Sequence, residues 1–149
     1  MKRIVFVLYM SLFLWSCGSN ELTRKEAFNI IKEDLDYPKT VSFDLFCGDP
    51  AHARKALDAG LEDKGLITVQ RTVKLKDVGK DPIIQFTDKA RPYLLETSEK
   101  DQSYRIQKVK VADEDIAEVT GVQTSDDGKA ATVEYSVSYK NVTDFAPLV

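Results

Sequence analysis

Ala131-Thr132-Val133-Glu134-Tyr135-Ser136-Val137-Ser138-Tyr139 alternates apolar and polar side chains without a break. Successive side chains of a strand point to opposite faces, so the run predicts a strand with one apolar and one solvated face. Just upstream, Ser125-Asp126-Asp127-Gly128-Lys129 carries the residues of a tight turn, and residues 116–123 are expected to pair back across it as a hairpin. Further upstream, Tyr104 and Ile106 share one parity while Val109 and Val111 share the other, which predicts a third strand with a bulge near Gln107-Lys108. Residues 98–149 are therefore expected to form a three-stranded antiparallel meander. Three strands with one apolar face do not stand alone easily, so the sheet should pack on what precedes it, and the two parts should unfold as one unit.

Residues 97–102 hold few apolar side chains and mark the expected boundary. Before them, Thr23 and Glu26 form a capping box, and Ala27, Phe28, Ile30, Ile31 and Leu35 recur at helical spacing until Tyr37-Pro38 ends the segment. Residues 41–45 alternate as a short strand. Asp49-Pro50 opens the next helix, because Asp caps orphan N–H groups and Pro at the first helical position already has the required φ. That helix is expected to run about 15 residues, with a narrow face of Ala53, Ala56, Leu57, Gly60 and Leu61 and a stop at Gly65. The β-branched run 66–73 and residues 83–86 then read as a two-stranded ribbon around a polar loop with Asp77, Gly79, Lys80, Asp81 and Pro82. Thr87-Asp88 can cap a short last helix through Leu95, distorted by Pro92. The fold class is α+β.

Helix, helix, ribbon and helix over residues 22–97 resemble a winged-helix arrangement. Leu61-Glu62-Asp63-Lys64-Gly65-Leu66-Ile67 is similar to the end of that family's recognition helix entering the wing, and Phe86-Thr87-Asp88-Lys89-Ala90 to the wing strand entering the following helix. The family has three helices before its ribbon, and here residues 41–45 occupy the place of the middle one. A DNA-reading version would need a basic second helix in the major groove. Residues 50–64 instead balance Arg54, Lys55 and Lys64 against Asp58, Glu62 and Asp63. Nucleic acid is therefore not an expected partner, and the shape is read as a reused scaffold.

At the other end, Lys2 and Arg3 precede an apolar run over residues 4–10, continued by Leu12, Phe13, Leu14 and Trp15. About a dozen apolar residues are too few for the roughly 20 that cross a bilayer, and the layout is that of a secretory signal. Leu14-Trp15-Ser16-Cys17 resembles the lipobox of bacterial lipoproteins, with Trp15 as the departure from the pattern. The resemblance implies that residues 1–16 are a signal peptide cut before Cys17, that Cys17 carries the acyl chains, and that residues 17–21 are a tether. It also implies a lipid-anchored cell-envelope protein; Gly18, rather than Asp, after the cysteine is the form the sorting rule of enteric bacteria sends to the outer membrane of a Gram-negative cell.

Of 149 residues, 43% are hydrophobic and 30% charged, enough for a real core in one or two small domains. Removing Lys2 and Arg3 from 21 cationic side chains leaves 19 against 24 acids, a net charge of −5 that does not draw phosphates. With Cys17 lipidated, Cys47 stands alone and no intrachain disulfide forms. One His and no paired-ligand spacing argue against zinc. Asp113-Glu114-Asp115 and Asp126-Asp127-Gly128 miss the spacing of a calcium loop and are expected to be solvated turn acids. Gly79-Lys80 lacks the upstream glycine of a phosphate loop. Cys47 and His52 could pair as thiolate and base, but Cys47 closes an apolar run and suits a small core residue.

No catalytic, cofactor or metal residue is therefore assigned, and Cys17 is the one expected site. The expectation is a lipid-anchored, non-enzymatic interaction or binding module with the membrane and an envelope protein as partners. The alternative is a small envelope enzyme or ligand-binding protein with a pocket between the two parts. A concave cluster of Tyr93, Tyr104, Tyr135, Tyr139 and Phe145 would favour the alternative, and a flat apolar patch would favour protein contact.

Overall fold

A computed structural model of the chain describes residues 21–72, 79 and 81–149. Its first helix, α1 (Arg24–Asp34), starts on the expected capping box. The Thr23 hydroxyl accepts from the Glu26 N–H at 3.3 Å, and the Glu26 carboxylate accepts from the Thr23 N–H at 2.9 Å. After Leu35 the chain turns through Asp36, and β1 (Lys39–Phe46) follows.

Helix α2 (Pro50–Asp58) is capped by Asp49, whose side chain accepts from the Ala51 N–H at 2.7 Å. It is shorter than the expected run to Lys64, because Gly60 does not lie on the helix face but ends it. With φ at +70°, Gly60 lets its own N–H reach Leu57 and the Leu61 N–H reach the Ala56 carbonyl, which satisfies the last carbonyls of the helix. Gly65 (φ +68°) reverses the chain a second time.

Strands β2 (Ile67–Val69) and β3 (Ile84–Phe86) form the two-stranded ribbon, with Ile67 opposite Phe86 and Val69 opposite Ile84. Residues 70–72, expected to extend the strand, lie outside it, and Val73, Lys74, Lys76, Asp77 and Lys80 fall outside the described residues. The Thr87 hydroxyl does not cap the next element. It donates to the Gly65 carbonyl at 2.7 Å and so ties the ribbon's exit to its entry. The segment Asp88–Tyr93 is a 3-10 helix with Pro92 inside it, the distortion that a residue without an N–H produces.

After α3 (Glu99–Ser103), a single 19-residue strand, β4 (Ile106–Thr124), takes the place of two of the three expected strands. Its last part pairs with β5 (Ala131–Lys140) as the expected hairpin, Ile116 opposite Val137 and Gln123 opposite Thr132. Its first part pairs with β1, Phe43 opposite Val109, so the order is β1-β4-β5 and the third strand comes from the segment before residue 97. The three-stranded antiparallel meander within residues 98–149 is thus replaced by a sheet shared between both parts. The expected bulge at Gln107-Lys108 lies elsewhere: register shifts fall at Val41/Ser42, Ile116/Glu118 and Val119/Gly121. Tyr104 is not in the strand at all but ends α3.

Helix α1 lies on β4, with Ala27 buried. The main core gathers Leu45, Ala53, Ala56, Leu61, Leu66, Ile67, Ile84 and Val109 from β1, α2, the turns that follow α2, the ribbon and β4. It is closed by the C-terminal segment. The Thr143 N–H donates to the Val111 carbonyl at 2.8 Å, its hydroxyl donates to that of Lys110 at 2.6 Å, and Phe145 and Leu148 are then wholly buried. Among the described residues no helix is long and apolar enough to cross a membrane.

Candidate functional site

Where β1, β4 and β5 lie side by side, the register sets Lys39 opposite Glu114 and Glu114 opposite Tyr139. Two residues before Lys39, Tyr37 turns inward and is 9% exposed. Its hydroxyl donates to Glu114 Oε1 at 3.1 Å. Its ring meets Tyr135 edge-on, with centroids 6.5 Å apart and an interplanar angle of 81°, and Lys39 Nζ stands 4.5 Å from the ring's centre. Hydrogen bonding with Tyr135, then burial and the Glu114 carboxylate, hold the Tyr37 phenol above its ordinary range. Glu114 likewise pushes Tyr139 upward.

Tyr135 and Tyr139 remain 37% and 58% exposed. On a strand expected to turn its apolar face fully inward, Val133 and Val137 are only half-buried, and Ser136 and Ser138 of the opposite parity are half-buried as well, because α1 packs on β4 far more than on β5. The result is a surface of phenol rings with a carboxylate and an ammonium at its centre. Such rings offer rigid apolar area and a polar tip, the combination that protein interfaces favour.

The expected aromatic cluster does not form. Tyr93 packs on the buried Phe145 at 6.0 Å between centroids, and Phe86 packs there at 6.3 Å, so these rings belong to the core. Tyr104 stands apart, 65% exposed. Tyr37 was not in the expected group; its place before Pro38 marks a helix end and gives no sign that β4 and β5 will meet it there.

Cys47 and His52 do not form a reactive pair. His52 Nδ1 accepts the Phe46 N–H at 3.2 Å, and the imidazole stacks on Phe43 and meets the edge of Phe46. Cys47 is buried, its thiol donates to the Leu45 carbonyl at 3.6 Å, and burial pushes its pKa up to about 11. A thiol so placed stays protonated at neutral pH.

Asp113-Glu114-Asp115 is not a solvated turn but lies within β4. Asp113 pairs with Lys110 at 2.7 Å and accepts from Asn141, while Asp115 pairs with Lys140 at 2.9 Å. These partners hold both carboxyls below the usual range. Asp127 does serve the turn: it accepts from the Ser125 hydroxyl and from the Lys129 N–H. Among the described residues no three His, Cys, Asp or Glu side chains converge as a metal site.

An open groove of about 600 Å³ is lined by Cys47, Ile84, Phe86, Gln102, Arg105 and Gln107, and the Cys47 thiol in it is held protonated by burial. Cys17 lies outside the described residues. Compared with family models, with curated proteins and with solved structures, the chain gives no match.

Proposed function

We propose that this chain is a lipid-anchored cell-envelope protein, held through Cys17 in the outer membrane of a Gram-negative bacterium, and that its folded body is a non-enzymatic interaction module. The tyrosine face of the sheet meets a protein partner in this reading. The observation that carries it is the exposure of Tyr135 and Tyr139 beside Glu114, whose carboxylate accepts a hydrogen bond from the Tyr37 hydroxyl. Such rings offer apolar area that a partner can bury and polar tips that can still hydrogen-bond. Against the enzyme alternative stands the internal use of the pair weighed as thiolate and base: Cys47 is buried as a thiol, and His52 is engaged with the backbone.

Residues 22–97 act as a winged-helix-like scaffold in this reading. Support comes from α2, the reversal at Gly65, the ribbon and the 3-10 helix that follows it. Strand β1, which takes the place of a helix, supplies the edge on which the later part of the chain builds its sheet.

Membrane fractionation and intact mass of the wild type and of Cys17→Ser test the anchor. Acyl chains and membrane retention in the wild type, both lost in the variant, are expected; a soluble wild type without acyl mass refutes it. Crosslinking from membranes, compared between the wild type and Tyr135→Ser/Tyr139→Ser, tests the face. A discrete adduct that is lost only in the double variant is expected.

A further inference from the structure

The hairpin tip and the start of α1 lie at one end of the molecule. Glu21, Leu22, Glu26 and Ile30 form one wall of an open groove of about 630 Å³, and Thr124 with residues 128–131 form the other. The other end is far away. Helix α2 is fixed beside Phe43, on which His52 stacks and over which Lys55 lies, and Phe43 pairs with Val109. From Val109 to Thr124 β4 runs on for 15 residues, so at about 3.3 Å per residue, less three bulges, α2 stands roughly 40 Å from the tip.

Resting on the anchoring reading above, we infer that the protein stands end-on, with the β4–β5 turn and the start of α1 against the lipid headgroups and α2 with the ribbon away from the bilayer. Three residues lie between Cys17 and Glu21, so the four Cα steps reach at most about 14 Å. A tether that short keeps the groove end within about 14 Å of the acylated cysteine, while the α2 end can stand roughly 40 Å away. The turn suits that place, since Ser125, Asp126, Asp127, Gly128 and Lys129 are all exposed and polar. End-on standing also turns the tyrosine face sideways, toward neighbours anchored in the same leaflet.

The test uses the full acylated chain in phosphatidylcholine vesicles that carry a nickel-chelating lipid. A spin label is placed at Asp126→Cys or at Arg54→Cys, both exposed positions, in a Cys47→Ala background. Circular dichroism like that of the parent confirms that each variant is folded. Relaxation enhancement by the nickel lipid is expected to be at least fivefold greater at residue 126 than at residue 54. Equal enhancement at both, as for a body lying flat, or greater enhancement at residue 54, overturns the inference while acylation stands. A chain whose intact mass shows no acyl group removes the tether and overturns the inference together with the anchoring reading.

Discussion

Truncating Phe145 tests whether the last residues are structural. Phe145 is wholly buried between Phe86 and Tyr93, and it is held there by Thr143 pinned to β4 and by the ion pair of Asp144 with Lys64 at 2.8 Å. Removing a buried phenyl ring costs about 3–5 kcal/mol through lost transfer energy and the cavity left behind. Two aromatic neighbours place Phe145→Ala near the middle of that range, about 4 kcal/mol. With an unfolding entropy of roughly 2.1 cal/mol/K per residue over about 130 residues, that loss lowers Tm by about 15 °C. Urea unfolding followed by far-ultraviolet circular dichroism measures it, with Val149→Ala as the control. Val149 is 78% exposed, and its truncation is expected within about 0.5 kcal/mol of the wild type. A loss below about 1 kcal/mol for Phe145→Ala would refute the claim that the C-terminal segment closes the core.

Because β1 and β4 share a sheet across residue 97, the chain is expected to melt in one transition; two calorimetric peaks, with Ile116→Ala lowering only one, would contradict this. Ile116, 4% exposed, should cost about 2–5 kcal/mol on truncation to Ala, while Val133→Asp, on half-buried β5, should cost less in the same urea assay. Cys47→Ala is expected to change stability modestly, and the wild-type thiol to react slowly with a maleimide at neutral pH; rapid labelling would refute its burial. The Cys47 thiol ionises near 9 when unfolded and near 11 when folded, so the unfolded state loses its proton first and stability falls as pH rises from 9 to 11. The same pH series on Cys47→Ala should show a smaller decline. Asp113 and Asp115 work in the opposite sense: their carboxyls are held low by Lys110 and Lys140, so their contribution is lost as pH falls through the carboxylate range, and Asp113→Asn should flatten the acid limb of the unfolding midpoint.

What was legible in the sequence was local. Thr23 with Glu26 and Asp49-Pro50 marked two helix starts, because a cap needs only residues within three positions of each other. Ser125-Asp126-Asp127-Gly128-Lys129 marked the hairpin for the same reason, and the alternation of residues 131–139 marked its second strand. Glycine was legible as a stop but not in which of two places: Gly60 and Gly65 both adopt positive φ, and α2 ends at the first because Leu61, just beyond it, drops into the core.

Only the tertiary structure decided the partners. Alternation shows that a strand has two faces and leaves open which strand lies beside it; β1 and β4 meet across 59 intervening residues, a pairing that no local pattern encodes. The bulges in β4 shift parity along the strand, so period-two reading lost the single long strand and reported two. The tyrosine face has the same origin. Tyr37, Glu114, Tyr135 and Tyr139 come from three separate stretches of chain, and they became one surface only when the sheet set their register and left β5 at its open edge.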